Sequence, residues 1–279
     1  METQSILNVV IAIVALGSVA LLFWLRALIY YYSRRQNRFK RAVAEDEISS
    51  YHNEEEIFTI TGNLVKEFTD VPLTNNYVIQ DTLLGRGSSA HVVIGVSKKS
   101  QRRYAIKAVD TSHVNIAWKY ERELDILRLT DHTNIIRVYE MYRLPTALYF
   151  VMELCTGGHL GQVLKQQNDG CLDQDLARTY IGQICRALFH CHSQGIVHRD
   201  VKLQNILLES NGRDAQVKLV DFGNSARFSL NTLPLRKIVG TTYTAAPEVF
   251  KQEYDERCDI WSLGVVAYIL LSGRRPFES

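Results

Sequence analysis

The stretch His198-Arg199-Asp200-Val201-Lys202-Leu203-Gln204-Asn205 places a carboxylate, an ammonium group and a carboxamide within eight residues, between two apolar runs. The carboxylate of Asp200 can accept a hydroxyl proton, and the ammonium group of Lys202 can face phosphoryl oxygens. The amide of Asn205 offers an oxygen of the kind that hard cations coordinate. A polar surface loop is the alternative, because loops carry such residues without any chemistry. The combination favours a reacting centre, which would also need a phosphate-binding loop, a second metal ligand and a nucleotide pocket.

The composition is that of a folded protein with a substantial core. The chain has 279 residues, of which 46% are apolar, and only five prolines. This length allows one large domain or two smaller ones, and the composition argues against disorder. The net charge of +2 points to no particular partner, so electrostatic arguments must come from local clusters. We expect no nucleic-acid ligand.

The five cysteines are odd in number and form no CxxC pair, which is typical of reduced thiols and not of a disulfide framework. Cys185, His190, Cys191 and His192 raise the alternative of a zinc site. These four residues lie in an amphipathic helical stretch, and no second pair of ligands follows at zinc-site spacing. We therefore expect structural roles for them.

The segment Ile6–Leu25 contains no charged residue. About twenty residues with a rise of about 1.5 Å each span the roughly 30 Å of bilayer hydrocarbon. We predict a transmembrane helix over 6–25, or as far as 32 in its longer form, after a short tail at 1–5. Aromatic residues lie at its far end, and a basic cluster follows from Arg26, so the chain after this helix is predicted to face the cytoplasm.

A cleaved signal peptide is the competing interpretation of this segment, with Ser18 and Ala20 as small residues near a cleavage site. It is less favoured, because the region before the apolar run carries Glu2 and no basic residue. The apolar run also continues past Ala20.

The segment 26–76 is predicted to be a juxtamembrane linker, because a basic half is followed closely by an acidic half. The basic half contains Arg26, Arg34, Arg35, Arg38, Lys40 and Arg41. It is suited to lie on anionic lipid, to which each residue contributes about 1 kcal/mol. The lipid bilayer is therefore a predicted partner.

Short β-runs flank a glycine-containing stretch from residue 85 to 92, and glycine lets backbone N–H groups approach phosphate oxygens. A third strand places Lys107 some twenty residues later, and a helical pattern over 116–129 carries Glu121 and Glu123. A buried lysine needs a carboxylate partner to stay oriented. Two more strands, over 136–143 and 147–151, complete a small antiparallel sheet.

Five motifs in this order resemble the eukaryotic protein kinase family. The first is Gly85-x-Gly87-x-x-Ala90-x-Val92, which has alanine at the family's third glycine, and the second is the strand lysine Lys107. The remaining motifs are His198–Asn205, Asp221-Phe222-Gly223 and Ala246-Pro247-Glu248. The resemblance covers 77–279 and implies a bilobal α+β fold, with a small antiparallel β lobe before a helical lobe.

The resemblance implies that ATP and Mg²⁺ are the cofactors. The nucleotide-binding residues that it assigns are Leu84, Gly85, Arg86, Gly87, Ser88, Ser89, Ala90, His91, Val92, Ala105, Lys107, Met152, Glu153, Cys155 and Leu207. Among them Met152 would be the gatekeeper, and the backbone of Glu153 and Cys155 would form the hinge that binds the purine. Leu207 would form the floor of the adenine pocket.

The resemblance also assigns the catalytic and metal-binding residues. They are Lys107, Glu123, Asp200 and Lys202 for catalysis, and Asn205 and Asp221 for two Mg²⁺ ions. Glu123 is preferred to Glu121 as the partner of Lys107, because its register in the helix is similar to the family's. Asp200 would orient the substrate hydroxyl and accept its proton, while Lys107 would hold the α and β phosphates.

Lys202, two residues after Asp200, together with Gly240-Thr241-x-Tyr243, resembles serine/threonine kinases. Protein serine and threonine hydroxyls are therefore the expected substrates. The ending Leu271–Phe277 resembles the calcium/calmodulin-dependent group. Members of that group that prefer basic substrates carry glutamate where this chain has His159 and Gln204, so we carry over no preference for arginine.

Arg199 beside the catalytic aspartate implies control by a phosphate on the activation loop. Lys237 stands where many relatives place the phosphorylated threonine. We hypothesise that the loop needs no phosphate at that position.

The resemblance implies that the kinase domain over 77–279 is truncated after its central large-lobe helix, in which Asp259 would hold the catalytic loop. An apolar face along Leu263–Leu271 would then be exposed, and Glu248 would lack its family partner. The main prediction is a single-pass, membrane-tethered serine/threonine kinase that faces the cytoplasm. The alternatives are a truncated kinase-like module that binds nucleotide or a partner with little catalysis, and a fragment of a longer protein.

Overall fold

A computed structural model describes residues 65–86, 90–112, 114–229 and 234–277, and gives the backbone alone for 114–119. The predicted membrane helix at 6–25 and most of the predicted linker lie outside these ranges, as do Gly87, Ser88 and Ser89. None of the helices in the described ranges combines the length and the apolar character that a bilayer-spanning helix needs.

The first half of the described chain forms a six-stranded sheet. Its strands are β1 (Lys66–Thr69), β2 (Tyr77–Arg86), β3 (Ala90–Ser97), β4 (Arg103–Asp110), β5 (Val138–Leu144) and β6 (Ala147–Met152). Their order is β1-β5-β6-β4-β3-β2, and every neighbouring pair except β1 and β5 is antiparallel. Short connections between strands adjacent in the sequence explain the antiparallel pairing.

The first strand corrects the predicted linker boundary at residue 76. β1 pairs in parallel with β5, and Phe68 stacks on Tyr142 with ring centroids 4.6 Å apart. A 3-10 turn, Leu73–Asn75, then buries Leu73 against the same sheet. The sequence did not predict this strand, because acidic residues precede it. Its apolar contacts are also few, and they are made with strands that are distant in the sequence.

The second half is mainly helical, which confirms the predicted combination of a β-sheet lobe and a helical lobe. Helix α1 (Val114–Arg128) lies between β4 and β5, and the helices of the second half are α2 (Leu160–Lys165), α3 (Gln174–Ser193), α4 (Pro247–Phe250) and α5 (Arg257–Ser272). Two small antiparallel sheets pair β7 (Ile196–Val197) with β10 (Ala226–Arg227), and β8 (Ile206–Leu208) with β9 (Val217–Leu219). The catalytic loop lies between β7 and β8, so both small sheets hold its ends.

The central helix α5 is more buried than the sequence predicts. Leu263, Val266 and Leu270 are buried in the main core, where α5 packs against α3. The backbone N–H of Leu172 also bonds to the carbonyl of Leu270. The expectation of an exposed apolar face along Leu263–Leu271 is therefore wrong for most of these residues, because α3 and the segment before it pack on this helix.

The carboxylate of Asp259, on the first turn of α5, connects this helix to the catalytic loop. It is completely buried and accepts hydrogen bonds from the backbone N–H of His198 at 2.8 Å and of Arg199 at 2.7 Å. The ring of His192, on α3, lies 2.9 Å from the same carboxylate. Burial acts to raise the pKa of Asp259, but the bond and the charge of His192 outweigh it and hold the pKa below its usual value.

We predict that Asp259→Asn lowers the free energy of unfolding by about 3 kcal/mol or more, because it removes one partner of a buried, hydrogen-bonded charge. The depressed pKa of Asp259 means that its contribution is fully present above pH 3.8, the ordinary value, and is lost as the pH falls further. Urea unfolding of both proteins at several pH values measures this. A difference that stays constant below pH 3.8 would contradict the assignment.

Candidate active site

Asp200 is surrounded by donors that hold its carboxylate in one orientation. Lys202 Nζ lies 2.8 Å from one carboxylate oxygen, and the Thr241 hydroxyl donates to the other at 2.7 Å. Lys202 Nζ also contacts the Thr241 hydroxyl at 2.9 Å. Burial acts to raise the pKa of Asp200, but the bonds from Lys202 and Thr241 outweigh it and lower the pKa. Asp200 is therefore ionised at neutral pH and suited to orient a hydroxyl group.

Gly240 allows the segment that carries Thr241 to approach the catalytic loop. Its φ of +94° is in a region that side chains disfavour, and a Cβ atom there would lie 2.3 Å from the carbonyl oxygen of Arg199. Any other residue at this position would push Thr241 away from Asp200.

Asn205 and Asp221 are the two residues that the motifs predict to bind metal ions. The Asn205 amide nitrogen donates to the backbone carbonyl of Asp200 at 2.9 Å, and this orientation presents its amide oxygen as a ligand. Asp221 has a left-handed φ of 64°, which is uncommon outside glycine and is typical of functional sites. Two oxygen donors of this kind fit Mg²⁺.

Lys107 lies in β4 and contacts the carboxylate of Glu123 at 2.7 and 2.9 Å. Glu121, the alternative partner, instead pairs with Arg143. Burial by itself would lower the pKa of Lys107, but the charges of Glu123 and Asp221 outweigh it and raise the pKa. Lys107 is therefore a positive charge that Glu123 holds in place.

The predicted nucleotide-binding residues that the structure describes lie on neighbouring strands of the sheet, on the hinge segment and on β8. Val92 is paired with Lys107 across β3 and β4, and Ala105 with Met152 across β4 and β6. Leu84, Gly85 and Arg86 end β2, and Ala90 and His91 begin β3. The three residues at the tip of this loop, Gly87, Ser88 and Ser89, are outside the described ranges. Leu207 lies on β8, beside the segment that follows the hinge.

The hinge is held by an ion pair that the sequence does not reveal. Glu153 lies 2.7 Å from Lys218 on β9, and both side chains are largely buried. The backbone N–H and side chain of Glu153 also bond to the backbone of Arg137. Burial raises the pKa of Cys155 to about 12, so its thiol is protonated and is not a nucleophile. These contacts fix the backbone that is predicted to bind the purine.

The zinc alternative for helix α3 has no support in the described part of the chain, where no group of three or more candidate ligands is arranged to hold a metal. His192 instead contacts Asp259, and His190 stacks on His132 with centroids 5.4 Å apart. Cys185 and Cys191 are free thiols within the helix.

The chain matches the model of the protein kinase domain over residues 78–279. It belongs to the protein kinase family. Kinases of this family use ATP and Mg²⁺.

The relatives are serine/threonine kinases. The chain is 40% identical to calcium-dependent protein kinase 5 of Plasmodium falciparum over 206 residues, which are 74% of this chain and 36% of that protein. It is 38% identical to myosin light chain kinase A of Dictyostelium discoideum over 197 residues, which are 70% of this chain and 66% of the relative. Serine/threonine-protein kinase 33 of Bos taurus is 35% identical over 205 residues, which are 70% of this chain and 42% of the relative. The chain thus spans about a third to two thirds of the length of these relatives.

These relatives confirm the serine/threonine type of the kinase domain and its similarity to calcium-dependent kinases. The roles of the individual site residues stay predictions that rest on the family's motifs and on the geometry above. Thr241 belongs to one of the quoted motifs, but its contact with Asp200 joins residues 41 positions apart and could not be read from spacing.

The guanidinium group of Arg199 has oxygen partners within the kinase domain. Its Nε donates to the carbonyl of Asn224 at 2.7 Å, and its Nη1 donates to the Tyr254 hydroxyl at 3.1 Å. The Tyr254 hydroxyl in turn donates to the carbonyl of Lys237, and its backbone pairs with Leu235 in both directions. Burial raises the pKa of Tyr254, so the hydroxyl stays protonated and can donate. One phenol therefore connects the activation segment to the catalytic loop.

We predict that Tyr254→Phe lowers kcat about tenfold, since it removes a hydrogen bond to a charged group and a second bond to the activation segment. A peptide kinase assay measures this, with thermal unfolding to confirm that the variant is folded. Tyr268→Phe, the same chemical change on α5 outside this network, is the control. Equal kcat values for the three proteins would show that Tyr254 has no role in positioning.

Proposed function

We propose that this chain is a serine/threonine protein kinase that transfers the γ-phosphate of ATP to serine or threonine hydroxyls of other proteins. The observation that supports this most directly is the ionised Asp200 carboxylate, held by Lys202 and Thr241 beside Asn205. A buried carboxylate that neighbouring donors hold in one orientation is the arrangement that a group accepting a hydroxyl proton would need.

ATP bound with Mg²⁺ supplies the phosphoryl group and a metal that neutralises its charge. Asp200 would orient the substrate hydroxyl and take its proton, while the hydroxyl oxygen forms a bond to the γ-phosphorus and the bond from that phosphorus to the bridging oxygen of ADP breaks, so that ADP leaves. Lys202 is placed to face the negative charge of the transferred group, because its ammonium lies 2.8 Å from Asp200. Lys107, which Glu123 holds in place, would bind the other phosphates, and Asn205 and Asp221 would bind the metal ions. Positioning and charge neutralisation would account for most of the rate.

The activation segment in this proposal needs no phosphate at position 237. Arg199, the residue that would bind such a phosphate, is already bonded to Asn224 and Tyr254. The Lys237 side chain is exposed, whereas its backbone carbonyl accepts the bond from Tyr254. Tyr254 thus supplies the oxygen that the phosphate would otherwise supply.

The proposal also includes a membrane tether. It rests on the sequence of residues 6–25, which has the length and the lack of charge of a bilayer-spanning helix. The basic cluster that follows predicts a cytoplasmic kinase domain and is suited to contact anionic lipid headgroups.

We expect purified chain to phosphorylate a generic serine/threonine protein in the presence of ATP and Mg²⁺. Asp200→Asn, which keeps the side-chain size but removes the charge, is expected to lower the rate at least about a hundredfold while ATP binding is retained. Transfer of radiolabelled phosphate measures the first effect, and nucleotide binding the second. ATP binding without activity above the Asp200→Asn control would favour the nucleotide-binding module and overturn the kinase proposal.

The tether predicts that protease added to sealed microsomes, with their cytoplasmic face outward, digests the region from residue 65 onward. An epitope tag at the N-terminus is expected to be protected until detergent is added. A chain that lacks residues 6–25 is expected to leave the membrane fraction. If the kinase region were protected instead, the predicted orientation would be wrong.

A further inference from the structure

The surface beside the catalytic loop carries a second, outward-facing set of polar groups. The Tyr243 hydroxyl lies 3.0 Å from the side-chain oxygen of Gln204 and donates to it. Because this bond occupies the amide oxygen, the exposed Gln204 side chain presents its NH₂ group, which can only donate. Gln204, near the end of the catalytic loop, thus favours a partner that has a hydrogen-bond acceptor.

Arg275 adds a positive charge to the same surface. Its guanidinium carbon lies 4.3 Å from the centroid of the Tyr243 ring, the geometry of a cation–π contact. Such a contact holds the guanidinium plane over the ring and leaves N–H groups at its edge for a bidentate bond to a carboxylate. Arg275 is exposed, and no carboxylate among the described residues forms an ion pair with it.

Tyr243 and Gln204 lie close to the place where the hydroxyl that is phosphorylated would bind. Tyr243 follows Thr241 by two residues, and Gln204 follows Lys202 by two, while Thr241 and Lys202 both contact Asp200. Two residues span at most about 7 Å of backbone, and an extended peptide advances about 3.3 Å per residue. A substrate side chain two to four residues from the accepted hydroxyl would therefore reach Arg275 and Gln204.

The chain that leads into Thr241 is also positively charged. Arg236 and Lys237 are exposed, five and four residues before Thr241, and neither forms an ion pair with a carboxylate of the described residues. Asp200, the carboxylate of the reacting centre, is bonded to Lys202 and Thr241. A basic substrate segment would thus meet cations, whereas an acidic one would meet complementary charge.

We infer that Arg275, supported by Tyr243 and Gln204, selects protein substrates that carry aspartate or glutamate two to four residues from the phosphorylated serine or threonine. This inference rests on the proposed kinase activity and names its substrate class. The contact is made to a residue that does not react, so it contributes equally to substrate and transition-state binding. The selection is therefore expressed in KM more than in kcat.

The test uses the full chain and a set of peptides that share one serine. The reference peptide has alanine at the flanking positions, and single glutamate or arginine residues are placed in turn from four residues before to four residues after the serine. We expect glutamate at one or two of these positions to raise kcat/KM roughly five- to tenfold over the reference, mainly through KM. Arginine at the same positions is expected to lower it.

Three variants assign the effect to a side chain. Arg275→Glu is expected to remove the glutamate preference and to improve the arginine peptide at the same position, and Arg275→Gln to remove the preference without reversing it. Arg274→Glu, the same charge change one residue away and without the contact to Tyr243, is expected to retain the preference. Thermal unfolding shows that each variant is folded.

The outcomes separate this inference from the proposed function. If no peptide is phosphorylated above the Asp200→Asn control, both are overturned. If the alanine peptide is phosphorylated but glutamate gives no advantage, or arginine is preferred, the acidic selection alone is overturned. A glutamate preference that survives in Arg275→Glu, or that Arg274→Glu removes equally, overturns the assignment to Arg275.

Discussion

The buried carboxylate of Asp259 is the interaction on which the arrangement of the active site depends. A fully buried charge is costly unless its oxygens are hydrogen-bonded, and here donors from His192, His198 and Arg199 meet that requirement together. The two backbone donors belong to the catalytic loop, in which Arg199 adopts a left-handed φ of 68°. Through Asp259, helix α5 therefore holds the catalytic loop in a backbone conformation that the residue types of the loop do not favour. Asp200 is the residue after Arg199.

Two further charge clusters show the same balance between burial and neighbouring charge. Burial acts against the charged forms of Asp200 and Lys107, yet the partners Lys202 and Glu123 keep both ionised. Asp200 and Lys107 are therefore charged and held in position before a substrate binds, so these groups need little reorganisation during the reaction. The surface at Arg275 is different, because its charge is exposed and unpaired among the described residues. The surface at Arg275 is suited to bind a substrate and not to take part in the reaction.

The sequence predicted much of the fold and most of the site, and the differences have physical causes. The strands from residue 77 to 151 and the helix that carries Glu123 were predictable from local periodicity, and the catalytic motifs are local in sequence. The strand at 66–69 was missed because its pairing partner, β5, lies about 70 residues later. The burial of Leu263–Leu271 was misjudged because α3 and the segment before it, which pack on α5, are about 80 to 100 residues earlier in the chain.

The sequence by itself determined the family and the chemical types of the reacting groups, because short motifs carry those groups at fixed spacing. Only the tertiary structure decided which groups meet. The contacts of Thr241 with Asp200, of Tyr254 with Arg199 and of Lys218 with Glu153 each join residues at least 41 positions apart. Such contacts depend on how strands and helices pack around the common core, and no local pattern of residues encodes that packing.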